Sequence, residues 1–373
     1  MSSISTRLRG GEIVGESAVS PVAAATDPQV HDALWTPPTI RDVAAHAGAS
    51  LKTVSRVVNG EAGVSPAMER RVRDAISTLD YRPNLTASNL RRVGGRTRSI
   101  GLVLSNVGNP LDSGVQRAIE EAAHDRGFVV IGSTIGEDGR REREIVDIFT
   151  ARRVDGLVIM AAGDDQSYLA EQRRMRISMV FVDRPPAMFE SDTVVVDNEA
   201  GSARGVAHLI QHGHRRIGFL GAVGSVVTTE QRLAGYLQAL RAADIKVDES
   251  LITVGNTDSE TAHAAAIQLM SGQNPPTALF AGQNLITIGT VRALRELDLH
   301  RRVALVGFDD VQLFDLLEPG LTVLAQDPWA IGRRAAERLF ARLDGSTEAH
   351  RTDVIPVELI ERGSGEVPGP FVR

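Results

Sequence analysis

"TIRDVAAHAGASLKTVSRVVNG", residues 39–60, is the stretch that decides how this chain folds. Thr39, followed three residues later by Asp42, is a helix N-cap pair. Ile40, Val43, Ala44 and Ala47 then recur at helical spacing until Gly48 stops the run. Ser50 caps a second helix, "LKTVSRVVN", with Val54, Val57 and Val58 available for burial. Ser65-Pro66 opens a third, whose apolar stripe is Val72, Ile76 and Leu79. Three short helices, the first two joined by a glycine turn, spell helix-turn-helix.

Residues four apart share a helix face, so Leu51 stacks with Ser55 and Lys52 with Arg56, opposite the valines. That face suits a DNA major groove. Arginine grips guanine O6 and N7, lysine meets the same edge from one centre, and leucine meets a thymine methyl. Thr39, Ser50, Thr53 and Asn59 are short hydrogen-bonding groups suited to flanking phosphates. The competing reading of the same residues is a solvated charged face on a small helical domain. Charge favours a polyanion: residues 38–98 hold eleven basic residues against five acids, inside a chain of net charge −6. Lys52 is itself unusual, because it and Lys246 are the chain's two lysines among 41 basic residues.

The 373 residues are enough for two or three folding units. There is no cysteine, which excludes disulfides, thiolate metal sites and cysteine nucleophiles. No apolar run is long enough to span a bilayer. Residues 1–37 are rich in Ser, Ala, Gly and Pro, show no signal-peptide core, and read as a disordered tail on a cytoplasmic chain. HExxH, GxxxxGK[ST] and GxSxG are all missing, so no enzyme, cofactor or metal site is expected. His212 and His214, in "QHGHRR", read as a solvated helix-ending cap.

After the headpiece (38–83), "PNLTASNLRRVGG" offers a short helix that Asn84 could cap, ending at Gly94-Gly95. Too short to stand alone, this hinge segment (84–98) should fold only against a partner. From Ser99 the texture turns to α/β. Strand candidates are "IGLVLS", "FVVIGS", "GLVIMA", "SMVFVD", "TVVVD", "IGFLGA", "LITVG", "ALFAG", "VALVGFDD" and "TDVIPVELIER". Helical patterns at 113–126, 139–153, 199–212, 230–243, 259–271, 285–297 and 329–343 lie between most of them. Continuous apolar strands alternating with helices indicate parallel sheets covered on both faces. So many strands exceed one sheet, which predicts two lobes over 99–363 with ligands at the C-terminal strand ends. Residues 364–373 read as a flexible C-terminal tail.

The headpiece pattern, continued in "LDYRPN", resembles the LacI (lactose repressor) family of bacterial transcription regulators, and the likeness runs from Thr39 to about Arg362. It implies an all-α helix-turn-helix headpiece plus an α/β two-lobed, periplasmic-binding-protein-like (type I) body. In that family the positions matching Leu51, Lys52 and Arg56 touch base edges. Those matching Thr39, Ser50, Thr53, Ser55, Asn59, Tyr81 and Asn84 mostly hold the DNA backbone. The resemblance makes "PNLTASNL" a hinge helix, with Ala87 where two such helices meet and Leu90 as a minor-groove wedge. Ser88 stands where many members have arginine.

In the body, Asn109, Asp183, Arg184, Arg232, Gln283, Asp309 and Gln326 match positions that hold a sugar in ribose-binding proteins. Three departures stand out: Leu111 and Asp112 replace two aromatics, Thr257 replaces a frequent phenylalanine, and Gln283-Asn284 replaces the usual Asn-Asp. Asp112 would put a carboxylate in the pocket wall, suited to an amine or to more hydroxyls. The resemblance thus implies a regulator, a repressor by type, that binds palindromic double-stranded operator DNA at the bacterial nucleoid. It would act as a homodimer, with tetramers open, under a small sugar-like effector. The alternatives are a regulator controlled by a protein partner or by no effector, and a solute-binding protein. The last is disfavoured by the basic headpiece and the missing export signal.

Overall fold

The structure is a computed structural model, which describes residues 36–82, 96–224 and 226–371. The expected N-terminal tail up to residue 35, and the expectations for Asn84, Ala87 and Leu90, lie outside the described residues. The chain divides into two compact units, at Asn84 and Leu85.

In the first unit, α1 (Ile40–Ala47), α2 (Leu51–Val58) and α3 (Pro66–Thr78) form in order. The Thr39 amide and hydroxyl both donate to Asp42 at 2.7 Å, which holds that carboxyl below its ordinary range. Gly48 ends α1 at φ 58°, a left-handed conformation that favours glycine. Ser50 accepts from the Thr53 amide at 3.1 Å, and Ser65 does the same for Met68 ahead of Pro66. Val43, Ala44, Ala47, Val54, Val57, Val72 and Ala75 are buried together. Ile76 and Leu79 pack half-buried at the margin, because Ala75 takes the central place beside Val72.

The second unit holds two six-stranded sheets. The first contains β1 (Ser99–Leu104), β2 (Val129–Thr134), β3 (Gly156–Ile159), β4 (Ser178–Val182), β5 (Asp192–Val196) and β11 (Thr352–Ile355). Its order is β11-β5-β4-β3-β1-β2, parallel throughout. The second contains β6 (Ile217–Leu220), β7 (Ile252–Thr253), β8 (Ala278–Ala281), β9 (Ala304–Phe308), β10 (Thr322–Ala325) and β12 (Glu358–Ile360). Its order is β12-β10-β9-β8-β6-β7, with only β12 antiparallel.

Helices α4 (Pro110–His124), α5 (Gly139–Ala151), a short α6 (Ala170–Arg174) and α11 (Pro328–Leu343) accompany the first sheet. Helices α7 (Asn198–Gln211), α8 (Val227–Ala242), α9 (Ser259–Met270) and α10 (Asn284–Glu296) accompany the second. β3, β6, β8 and β9 are buried at every position, as expected of parallel strands covered on both faces.

Two strands differ from the sequence reading. β10 comes from "TVLA", a run too short between Gly320 and Gln326 to stand out. "TDVIPVELIER" is not one strand: around Pro356, β11 joins the first sheet and β12 the second. The chain therefore crosses between lobes three times, after β5, after β10 and after β11.

The expected flexible tail at 364–373 is instead a folded strap through Phe371. Ser364 exchanges bonds with Leu305 (N–H to O 2.9 Å, Oγ to O 2.6 Å), and Gly365 N donates to Thr322 Oγ1 at 3.1 Å. The strap satisfies backbone groups that the sheet leaves open, which is why a sequence without helical or strand periodicity is still ordered. His214 is not a solvated cap either. It is fully buried, with Nδ1 2.9 Å from Thr277 Oγ1 and Nε2 2.8 Å from the Val367 carbonyl, and burial lowers its pKa. His212 stacks on His208 at 4.4 Å.

Candidate functional site

On the headpiece, Leu51 is 46% exposed and Lys52 is exposed, at the first two positions of α2. Lys52 forms no hydrogen bond or ion pair among the described residues. Arg56, one turn on, is tethered to Glu61 at 3.9 Å. The short polar groups are already engaged. Ser50 and Thr53 hydroxyls meet at 2.8 Å, and Asn59 Nδ2 donates to Ser55 Oγ at 3.3 Å. Thr39 is spent on Asp42, and Tyr81 packs half-buried against the core. The exposed, unspent side chains at the start of α2 are therefore Leu51 and Lys52, with Arg56 beside them.

In the body, polar residues gather just past the C-terminal ends of the strands, as an open parallel sheet requires. After β4, Asp183 sits at φ 66°; after β9, Asp309 sits at φ 73°. Strained left-handed backbone at two strand-end aspartates marks positions where side-chain direction is imposed by the fold. Arg184 makes a two-pronged pair with Glu137, by Nη1 to Oε2 and by Nη2 to Oε1 at 2.9 Å. Its Nε meets Asp183 at 3.2 Å, and Nη1 donates to the Ala161 carbonyl at 3.2 Å. Burial works against the charge, yet the Glu137 bonds and the Asp183 charge hold the guanidinium well above its ordinary pKa.

Arg232, on α8, is different. Burial pushes its pKa down, and no carboxylate touches it; Asp309 and Asp183 act only at a distance. Its guanidinium lies 3.7 Å from the Phe308 ring centroid. Nε donates to Asn198 Oδ1 and Nη1 to the Gly282 carbonyl, both at 2.8 Å. Nη2 makes no hydrogen bond among the described residues. Asp309 accepts from the Asn284 amide at 3.1 Å and from Gln326 Nε2 at 2.6 Å, leaving Gln326 Oε1 buried without a partner. Asn109 caps α4 and meets Asn284 Nδ2 at 2.7 Å. Gln283, half-buried, is the N-cap of α10, and its side-chain amide makes no hydrogen bond among the described residues.

One expectation changes, and two further residues are placed. Asp112 is not a free carboxylate in the pocket wall. It is 1% exposed, and Oδ2 accepts from Ser105 Oγ at 2.9 Å and Asn106 N at 2.7 Å. Burial raises its pKa to about 6. The first turn of α4 aims it at the end of β1, whose loop needs an acceptor. Leu111 is half-buried, packed against the margin of the core. Thr257 is exposed at the start of α9, its hydroxyl given to Asp258 at 3.2 Å.

Glu137, Asn198 and Phe308 were not singled out from sequence. Glu137 follows the β2 run and Asn198 the β5 run, so the strand-end rule could have found both; Phe308 is inconspicuous in "VGFDD". No group of three or more His, Asp or Glu side chains suited to a metal occurs among the described residues. Among them, too, no helix is long and apolar enough to cross a membrane.

Comparison with known proteins brings both units into one context. Residues 39–84 match the lacI family of bacterial regulatory proteins, and residues 206–365 match the periplasmic binding protein-like domain. The repressor PurR of Pectobacterium carotovorum subsp. carotovorum is 32% identical over 340 residues, 90% of this chain and 98% of the relative. The repressor CytR of Escherichia coli K12 is 30% identical, covering 88% of this chain and 96% of the relative. Among solved structures, the lac repressor dimer bound to operator superposes with a TM-score of 0.79 at 28% identity, covering 88% of this chain and 99% of that one. A complex of the regulator CelR with cellobiose gives 0.66 at 30% identity, with 88% and 99% covered.

Proposed function

This chain belongs to the LacI family of bacterial regulatory proteins, and from that premise we propose that it is a repressor that reads a palindromic operator as a homodimer through Leu51, Lys52 and Arg56. The family's regulators bind DNA under small-molecule control, and this chain does the same in the bacterial cytoplasm, at the nucleoid, without catalysis. The single observation that carries the reading is the free face at the start of α2. An exposed leucine and an unpaired ammonium sit where a helix-turn-helix places its base-reading residues. Sequencing DNA selected by the purified protein tests it. Two inverted half-sites are expected, and the absence of any enriched sequence would overturn it.

The effector reading rests on unspent polar atoms. Gln326 Oε1 is a buried acceptor left without a partner beside Asp309, and Arg232 uses Nε and Nη1 but not Nη2 in hydrogen bonds among the described residues, which favours a small polar ligand over an effector-independent body. Charge narrows its class. Glu137, Asp183 and Asp309 outnumber Arg184 and Arg232 at the strand ends. An anion is disfavoured there, and a neutral hydroxyl-rich molecule of sugar type fits. Screening neutral monosaccharides, disaccharides and polyols by thermal shift tests this. A specific ligand raises the melting temperature with log concentration, whereas stabilisation by anions alone would sink the sugar reading.

A further inference from the structure

Away from the three crossings, one side-chain hydrogen bond among the described residues spans the cleft, from Asn284 Nδ2 on the second lobe to Asn109 Oδ1 on the first, at 2.7 Å. We propose that this pair is a latch that holds the body closed without effector, and that Asn284 sets how readily the effector cleft opens. The idea deepens the effector reading above and rests on it for its meaning, but the bond itself needs no ligand.

Both amides are locked in orientation by their own helices. Asn109 Oδ1 accepts from the Leu111 amide at 3.0 Å as the cap of α4, so oxygen and not nitrogen faces the cleft. Asn284 Oδ1 accepts from the Leu285 amide at 2.7 Å, which turns its Nδ2 outward. Donor therefore meets acceptor, and flipping either amide would break a backbone bond. Asn284 is 1% exposed, so water does not readily replace its partner. The chemistry is asymmetric: a carboxylate at 284 has no donor, whereas a carboxylate at 109 still accepts, and more strongly.

The latch is also wired to the effector cluster. The Asn284 backbone amide donates to Asp309 Oδ2 at 3.1 Å, and Asp309 Oδ1 takes the Gln326 amide at 2.6 Å. A ligand that draws on Asp309 or Gln326 shifts the turn carrying Asn284. Lobe closure and ligand contact thus share one short chain of bonds.

The absence of cysteine makes the test clean. Arg117→Cys on α4 and Arg295→Cys on α10, both at exposed positions, take spin labels on opposite lobes. Double electron–electron resonance is measured on the full chain, diluted into unlabelled protein so that each assembly carries one labelled copy, with no effector added. The parent should give one short distance. Asn284→Ala and Asn284→Asp should each shift the closed-to-open ratio by roughly two- to tenfold toward longer distances. Asn109→Asp should keep the short distance. If the Asn284 variants leave the distribution unchanged, or Asn109→Asp opens it as far as they do, the latch is refuted. With Asn284→Asp nearly isosteric, poor folding of the alanine variant does not remove the test. Since no effector is present, a failure here is separate from a failure of the effector reading, which the ligand screen decides.

Discussion

Removing the Lys52 ammonium should improve the folded headpiece and damage its reading of DNA. Lys52 is the second residue of α2, where the helix dipole is positive, and no acidic residue occupies that first turn. A cation there costs about 0.3–1 kcal/mol, and alanine adds a few tenths in helix propensity. The side chain is exposed and makes no bond among the described residues, so nothing is lost with it. Lys52→Ala should therefore stabilise the headpiece by about 0.5 kcal/mol in urea unfolding followed by circular dichroism. On DNA, losing one base-edge contact costs about 1–3 kcal/mol per half-site, and both halves of a dimer lose it. Fluorescence anisotropy against the selected operator, and against copies changed symmetrically at each position, reads this directly. The loss should vanish at one symmetric pair of positions once that base is changed, and the salt dependence should stay as in the parent. An equal loss on every sequence, with a salt slope lower by about one per subunit, would make Lys52 a phosphate contact. A loss of stability would make it structural.

Other perturbations separate the remaining roles. Arg232→Met removes the guanidinium that lies over Phe308 and leaves an unbranched apolar side chain; it should abolish the thermal shift of any ligand that stabilises the parent while leaving operator affinity intact, and lost DNA binding would make Arg232 structural. Asp112 keeps its proton up to about pH 6 when folded, against 3.8 unfolded, so stability falls as pH rises from about 4 to 6 and the burial penalty is complete above that. Asp112→Asn should thus stabilise by about 3 kcal/mol near pH 7 and hardly at all near pH 4 in parallel urea melts. Glu142 is buried and accepts from the Ala162 amide, Gln166 and Tyr168. Truncating it to alanine orphans those donors and should cost about 3 kcal/mol, whereas Glu142→Gln should cost less. Val54→Ala, at 0% exposure between three short helices, should cost about 2 kcal/mol and loosen the headpiece, seen as faster amide exchange.

Local chemistry explains why the fold could be read so far from sequence. Thr39 with Asp42, Ser50 with Thr53, and Ser65 before Pro66 are caps whose partners lie within three residues, so spacing alone places the helix starts. Strands buried on both faces announce themselves as apolar runs. What stayed hidden depended on distant partners. The strap at 364–371 carries no periodicity and is ordered by Leu305, Thr322 and His214, far away in sequence. Pro356 divides one apolar run between two sheets, a choice made by lobe architecture.

The cleft shows a sharper limit, because residue type does not fix direction. Asp112 and Asp309 are both aspartates that sequence assigned to the ligand site, one as a departure from the family and the other as a match to it. One is turned by the first turn of α4 into the β1 loop, where Ser105 and Asn106 consume it. The other is held in left-handed backbone beside an orphan glutamine oxygen and a half-satisfied guanidinium. Asn284 stands where the resembled family usually has aspartate. In three dimensions it supplies the one donor that can meet Asn109, whose oxygen is committed by its cap. The residue that departs from the usual carboxylate thereby makes a contact between lobes. On the latch proposal, the turn carrying Asn284 touches both Asp309 and the opposite lobe, so changing that one residue should alter ligand contact and lobe closure together.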